Sequence, residues 1–358
     1  ATHSKFTNLD AIGTIQLLAS VAMDSLHVTA GVESYPRLGD RVYAAPHSFV
    51  ASLPKLIEQE GSPESKILLK LGSIDTAHDS YVSIRPEKLF GRHCAILGTT
   101  GGGKSWTTAR IIEECLNFKS KVILLDATGE YRAISSPNIT HFHIGKPVKQ
   151  ASGSLPRSIP PSSFIESDFI ALFEPAGKVQ GPKLRSAIRA LRLAKLVPSI
   201  ATNGVIKKID QPKASVIRAE QQAGIASKLD DPRQDFDVNK LTAQIEQECV
   251  WPDAKSWISG KQVTDTSKWG GDSGEVSYCL SLISRINAVL SSPSFECVFK
   301  SAEPTISSAI DDFCKNDKKL LRICLSGISY EYKAREIIAN VIGRHLLNIA
   351  RNGSFQNS

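Results

Sequence analysis

No uninterrupted apolar run in these 358 residues approaches the ~18 needed to cross a bilayer, so the sequence predicts no membrane span. The opening Ala1-Thr-His-Ser-Lys-Phe-Thr7 lacks the charged-then-apolar layout of a secretory leader, and a cytoplasmic protein without membrane attachment is expected. Cysteine is sparse and scattered: Cys94, Cys115, Cys249, Cys279, Cys297, Cys314 and Cys324 make no C-x-x-C pair. None of the eight histidines clusters with them, which argues against a zinc site, and an odd number of thiols in apolar stretches reads as reduced core residues. His141 and His143 alternate along a predicted strand, a spacing that suits surface or hydrogen-bonded side chains better than metal ligands. An initiator methionine is also lacking, and the chain stops abruptly at Gly353-Ser-Phe-Gln-Asn-Ser358, so a piece of a longer chain is expected.

What is present is ordinary for a globular protein, 41% hydrophobic and 22% charged, with length for two or three domains. The net charge of +7 is compatible with a polyanionic partner but weak as a global average. Its distribution says more: ten basic residues lie between Lys178 and Arg218 against one acid, Asp210.

The sharpest signal is Gly98-Thr99-Thr100-Gly101-Gly102-Gly103-Lys104-Ser105, which fits the phosphate-cradling pattern G-x-x-x-x-G-K-S/T. Glycines let successive N–H groups turn toward phosphates, Lys104 reaches the outer phosphate oxygens and Ser105 offers a hydroxyl to Mg²⁺. Trp106 follows directly, and the stretch to Leu116 reads as a helix whose N-terminus adds a positive dipole end. His93-Cys-Ala-Ile-Leu97 reads as the buried strand entering the loop. A glycine-rich surface turn would need neither the Lys-Ser pair nor this context. ATP and Mg²⁺ are the expected cofactors.

Short apolar runs at Gly13–Leu18, Ser25–Gly31, Leu38–Ala44 and Lys66–Gly72, separated by turn signals, predict a small β-barrel over residues 1–88. An α/β core is predicted from residues 89–144 and 274–358, with Lys121–Asp126 and Leu320–Leu325 as strands and Glu275–Leu290 and Tyr332–Ala350 as helices. Asp126 ends its strand where an α/β nucleotide fold meets bound phosphates. Between them, residues 145–273 are richer in Pro, Ser and Gln and read as a helical insertion with mobile loops. Its clearest helix, Pro182–Val197, carries Arg185, Arg189 and Arg192 along one side.

Together, His93-x-x-x-Leu97-Gly-x-Thr100-Gly-x-Gly-Lys-Ser105, Leu124-Leu-Asp126-x-x-Gly-Glu130-Tyr131 and a barrel ahead of the core resemble the HerA branch of the FtsK/HerA superfamily of hexameric DNA-translocating ATPases. The resemblance covers about residues 10–353 and is least specific in the insertion. It implies a RecA-like P-loop NTPase core with an N-terminal small β-barrel and a helical insertion. It further implies a hexameric ring on double-stranded DNA, partnered by a nuclease or an NAD-hydrolysing effector in end processing or phage defence. The family's later strand ending in Asp-Glu, and any arginine finger beyond it, are not in this sequence. Two readings of Asp126 therefore compete: the Mg²⁺-binding acid of a generic P-loop enzyme, or, as the resemblance implies, a neighbour of the site that Glu130 helps to shape.

The motor reading places Lys104, Asp126 and Glu130 in the chemistry and offers Arg185, Arg189 and Arg192 as contacts to the DNA backbone, beside the plainer possibility of a solvated helix face or a subunit interface. A second reading is an ATP-binding scaffold that activates an effector with little translocation of its own, docking through the barrel. A small-molecule kinase is disfavoured, since it needs neither barrel nor basic insertion. Trp106, Trp251, Trp257 and Trp269 are read as packing groups rather than base-stacking platforms, and Tyr131 as either a stacking group near adenine or a seal on the core.

Overall fold

The computed structural model describes residues 13–25, 27–57, 67–74, 77–300 and 304–352. The expectations for residues 1–12, for Lys66 and for Gly353–Ser358 lie outside the described residues. The chain divides into two compact units, Ala1–Phe118 and Lys119–Ser358.

In the first unit, β1 (Ala19–Ala22) pairs antiparallel with β2 (His27–Ala30), and β3 (Leu69–Ile74) pairs antiparallel with β4 (Ala77–Ile84). Among the described residues these are two separate two-stranded sheets rather than a closed barrel. The expected strand at Leu38–Ala44 is irregular, with Leu38, Val42 and Tyr43 exposed. An apolar run becomes a strand only where a sheet takes up its backbone groups and a core takes its side chains, and among the described residues neither happens here. α1 (His47–Ile57) packs on β2 and β4 and buries Ala51 and Leu56. The short α2 (Pro86–Phe90) starts on Pro86, whose missing N–H costs nothing in a first turn. α3 (Lys104–Leu116) lies along β3, burying Ile111, Ile112 and Cys115. Lys70 N–H donates to Glu114 Oε2 at 2.9 Å and Arg110 Nε donates to the Lys70 carbonyl at 3.2 Å, which ties helix to strand.

The second unit is built on a four-stranded parallel sheet in the order β5-β10-β6-β7, from β5 (Val122–Asp126), β6 (Ile139–Gly145), β7 (Leu155–Pro156) and β10 (Leu320–Gly327). Lys121 fixes the start of β5 by donating to the carbonyls of Phe313 (2.7 Å), Asn316 and Lys318 at the end of a helix, a usual use of lysine at a helix C-terminus. Side chains alternate between the faces of a strand. Ile123, Leu125, Leu321, Ile323, Leu325, Phe142 and Ile144 share one face and join the main core, each fully buried one stabilising by roughly 1.5–3 kcal/mol. The other face carries Asp126, Arg322, His141 and His143 in register across three strands.

The helices of this unit are α4 (Glu166–Phe173), α5 (Gly177–Leu196), α6 (Ala214–Glu220), α7 (Ile225–Leu229), α8 (Leu241–Glu248), α9 (Val276–Ser291), α10 (Glu296–Phe299), α11 (Ile306–Lys315) and α12 (Ala334–Arg351). A hairpin of β8 (Ala254–Ile258) and β9 (Lys261–Asp265) stands outside the sheet, so the segment expected to be helical also contains strands. Residues of α4, α5 and α8, including Phe169, Phe173, Leu184, Ile188 and Ile245, share one core with Ile323 of β10 and Ile338 of α12. The 145–273 segment is therefore part of the packing of this unit. A smaller apolar cluster, with Leu193, Ile206 and Leu229, holds α5, α6 and α7 together.

Candidate functional site

The phosphate loop belongs to the first unit. Gly101 and Gly103 have φ of +79° and +83°, left-handed values that L side chains rarely adopt. Gly103 is the residue that starts α3, and a side chain on Gly102 would come within 3.1 Å of the Thr99 carbonyl. Gly102 N–H donates to the Thr99 carbonyl at 3.0 Å, closing the loop on itself. Lys104 Nζ donates to the same carbonyl at 2.7 Å, so its ammonium is folded over the loop that it is expected to serve. Ser105, half-buried, and Trp106, exposed, follow on the first turn of α3, where the helix dipole favours an anion. Thr107 Oγ1 and Thr108 Oγ1 bond back to the carbonyls of Gly103 and Lys104, stiffening that turn. The strand expected at His93–Leu97 is irregular, and Leu97 is 89% exposed. The apolar run alone suggested a buried strand, but among the described residues of the first unit it has no sheet neighbour to supply backbone partners. Cys94 is accordingly exposed rather than a core thiol.

The second group of expected residues belongs to the second unit. Asp126 ends β5 with 1% exposure. Its Oδ1 accepts from the N–H groups of Gly129 (2.7 Å) and Glu130 (3.1 Å), and its Oδ2 accepts from Tyr131 N–H (3.1 Å) and Arg322 Nε (2.8 Å). Arg322 Nη2 lies 2.7 Å from Oδ2 but points off the hydrogen-bond direction, so that contact is electrostatic and leaves Nη2 without a hydrogen-bond partner among the described residues. Gly129 makes the turn possible at φ +83° and approaches Ser326 so closely that a Cβ would sit 3.2 Å from its Oγ. Glu130 is exposed, and Thr128 Oγ1 donates to its Oε1 at 3.1 Å. Sequence reasoning missed Arg322 altogether. Its only signal was a lone charged residue in an otherwise apolar strand.

The donor set decides how Mg²⁺ fits. Ser105 supplies a hydroxyl of the right type at a helix start, but both Asp126 oxygens are already taken by four hydrogen bonds, with a buried guanidinium alongside. A dication there would meet a filled carboxylate and an adjacent positive charge. Among the described residues no group of three or more His, Cys, Asp or Glu is placed to hold a metal.

On the sheet face shared with Arg322, burial and the nearby guanidinium push the pKa of His141 down. Burial first, then Arg157 and Arg322, do the same to His143, whose Nδ1 is 3.0 Å from Ser154 Oγ. Six of the seven cysteines are buried or half-buried, none forms a disulfide, and burial pushes Cys249 up to about 12 and Cys297 up to about 11.

The three arginines of α5 are engaged within their own unit. Arg185 pairs with Glu166 (3.3 Å), and Arg189 with Glu220 (3.4 Å) and Asp230 (2.7 Å). Arg192 is 5% exposed and donates to the carbonyls of Gln234 (3.1 Å) and Pro232 (2.9 Å). Arg189 and Arg192 thus tie residues 220–235 to α5 and Arg185 ties α4 to it, and of the three only the enclosed Arg192 guanidinium has little left to offer a DNA phosphate. Among the described residues no helix is long and apolar enough to cross a membrane.

The family profile described as "Helicase HerA, central domain" matches residues 69–345, well over half of the chain. A probable helicase of Methanocaldococcus jannaschii is 42% identical over 66 residues, 18% of this chain and 13% of that protein. The probable DNA double-strand break repair helicase HerA of the same organism is 40% identical over 63 residues, 18% of this chain and 12% of that protein. The matched stretch spans only about an eighth of these relatives' length.

Proposed function

Since the chain belongs to the HerA central-domain family, we propose that it is the ATPase part of a ring-forming motor that moves along double-stranded DNA. The observation that carries this is the phosphate loop, with two glycines in left-handed conformations leading into α3 and Lys104 folded over it. One of the matched relatives is named as a DNA double-strand break repair helicase, which supports a duplex as the track. Lys104 would release the Thr99 carbonyl and bond the β- and γ-phosphates of ATP, spreading transition-state charge as they separate. Mg²⁺, held through the Ser105 hydroxyl, would supply charge neutralisation on those oxygens.

The saturated carboxylate supports the second of the two readings of Asp126. Its task in this proposal is to fold the turn that presents Glu130, and Glu130 is the acid with an exposed carboxylate. A hexameric ring, with the nuclease or NAD-hydrolysing effector of DNA end processing or phage defence, is the assembly in which we place it.

The test is ATP hydrolysis with and without duplex DNA over a range of salt. Hydrolysis stimulated by DNA, weakened by salt and lost in Lys104→Ala is expected. ATP binding with no hydrolysis and no response to DNA would replace the motor with a nucleotide-binding scaffold for an effector.

A further inference from the structure

The carboxyl ends of three adjacent parallel strands, β5, β10 and β6, enclose a cavity of about 370 Å³ in the second unit. Its size falls within the roughly 300–1,000 Å³ of small-ligand pockets, and the carboxyl edge of an open parallel sheet is where such ligands sit. The lining is one-sided in charge. Arg132 follows β5, Lys149 follows β6 and Arg335 begins α12 after β10, while Thr128, Ser326 and Tyr330 add hydroxyls and no acid lines the wall. Glu130, which accepts the Thr128 hydroxyl, is the acid held at the rim.

Arg335 is the unusual member. It is more than nine-tenths buried, its Nη2 donates to the Ile328 carbonyl at 2.6 Å, and its guanidinium stacks 3.9 Å from the Tyr330 ring. Its Nε has no hydrogen-bond partner among the described residues. A buried cation that balances no carboxylate is costly unless an anion completes it. Lys149 and Arg132 are exposed beside it, and neither pairs with a carboxylate among the described residues. Three cations and three hydroxyls converging on an acid-free cavity match the charge and acceptor geometry of a phosphate.

We infer that this cavity is a phosphate-binding site distinct in sequence from the phosphate loop, with Arg132, Lys149 and Arg335 as its cationic ligands and Ser326 and Tyr330 as hydroxyl donors. The phosphate is either that of a nucleotide or its released inorganic phosphate, or a phosphodiester of a DNA backbone. The site stands on these residues and does not rest on hydrolysis at the phosphate loop.

The experiment titrates the Lys104→Ala protein, in which the loop lysine is gone, with inorganic phosphate, with ATP and with a short duplex DNA. Arg132→Gln and Lys149→Gln are added singly to that background; both positions are exposed, so folding is retained, and circular dichroism checks it. Salt-sensitive binding of at least one probe, weakened about tenfold by each substitution, is expected. Phosphate or ATP binding without DNA binding assigns the free-phosphate source, and DNA binding assigns the backbone source. Absence of binding by all three probes, or binding that both substitutions leave unchanged, overturns the proposal. Loss of DNA-stimulated hydrolysis in the otherwise unaltered chain would instead count against the motor reading alone.

Discussion

Asp126, at the end of β5, and Arg322, on the adjacent β10, form an ion pair on one face of the parallel sheet, each with about 1% of its surface in water. Removing one partner of such a pair leaves the other charge buried, at a cost of about 3–5 kcal/mol. Arg322→Met is therefore expected to lower the stability of the protein by that order, read as a fall in the urea midpoint. Arg322→Lys should recover part of it, because a lysine keeps the charge but not the fork. Glu130→Gln is expected to cut ATP turnover at least tenfold while leaving ATP affinity within about twofold, the pattern of a group acting only in the reaction step. The histidines beside Arg322 give a pH signature. Both have folded pKa values below the ordinary value of about 6.5. The unfolded chain therefore binds more protons between those two values, so stability is full above about pH 6.5 and falls as the pH drops through the folded values. Thermal melts between pH 7.5 and 5 should show this loss, and a His143→Asn protein should show less of it.

At the scale of elements, the ends of β6 and β10 meet through two glycines. A Cβ on Gly145 would lie 2.5 Å from the Gly327 carbonyl oxygen, and one on Gly327 would lie 2.6 Å from the backbone nitrogens of Lys146 and Pro147. Gly327→Ala must therefore part the two strand ends, and hydrogen exchange should show the Ile144–Pro147 segment losing protection while the Leu320–Ile323 amides keep theirs. α4 is held to α12 by Arg344, which forks onto both oxygens of Asp168, while Asp168 Oδ2 also accepts the Ile165 N–H at 2.9 Å. Much of this level was legible in advance. The runs that became β5, β10, α9 and α12 were predicted within a few residues, because their periodicity matched the surfaces that they bury. The phosphate loop was readable from its glycines and the Lys-Ser pair. Leu38–Ala44 and His93–Leu97 were misread because apolar pattern does not say whether a neighbouring strand exists. Arg322 was invisible because one sequence position carries no record of the carboxylate lying opposite.

At the scale of the whole molecule, composition suggested that residues 145–273 were a helical insertion with mobile loops. Packing places Phe169, Leu184, Ile188 and Ile245 in the same core as the central strand. Excising that segment is therefore expected to abolish cooperative unfolding of the second unit rather than trim a lobe from it, which calorimetry of the deleted protein would show. The burial of most of the thiols was legible from the apolar stretches that hold them, but the exposure of Cys94 was not. That exposure has a practical consequence. Cys249 and Cys297 are burdened by high pKa values, Cys115, Cys279 and Cys324 are shielded by packing, and Cys314 is only half in reach of solvent. A maleimide dye at neutral pH should meet Cys94 first, just ahead of Gly98, so the native chain carries its own attachment point for a fluorescent reporter of nucleotide arrival, with no cysteine to engineer in or out.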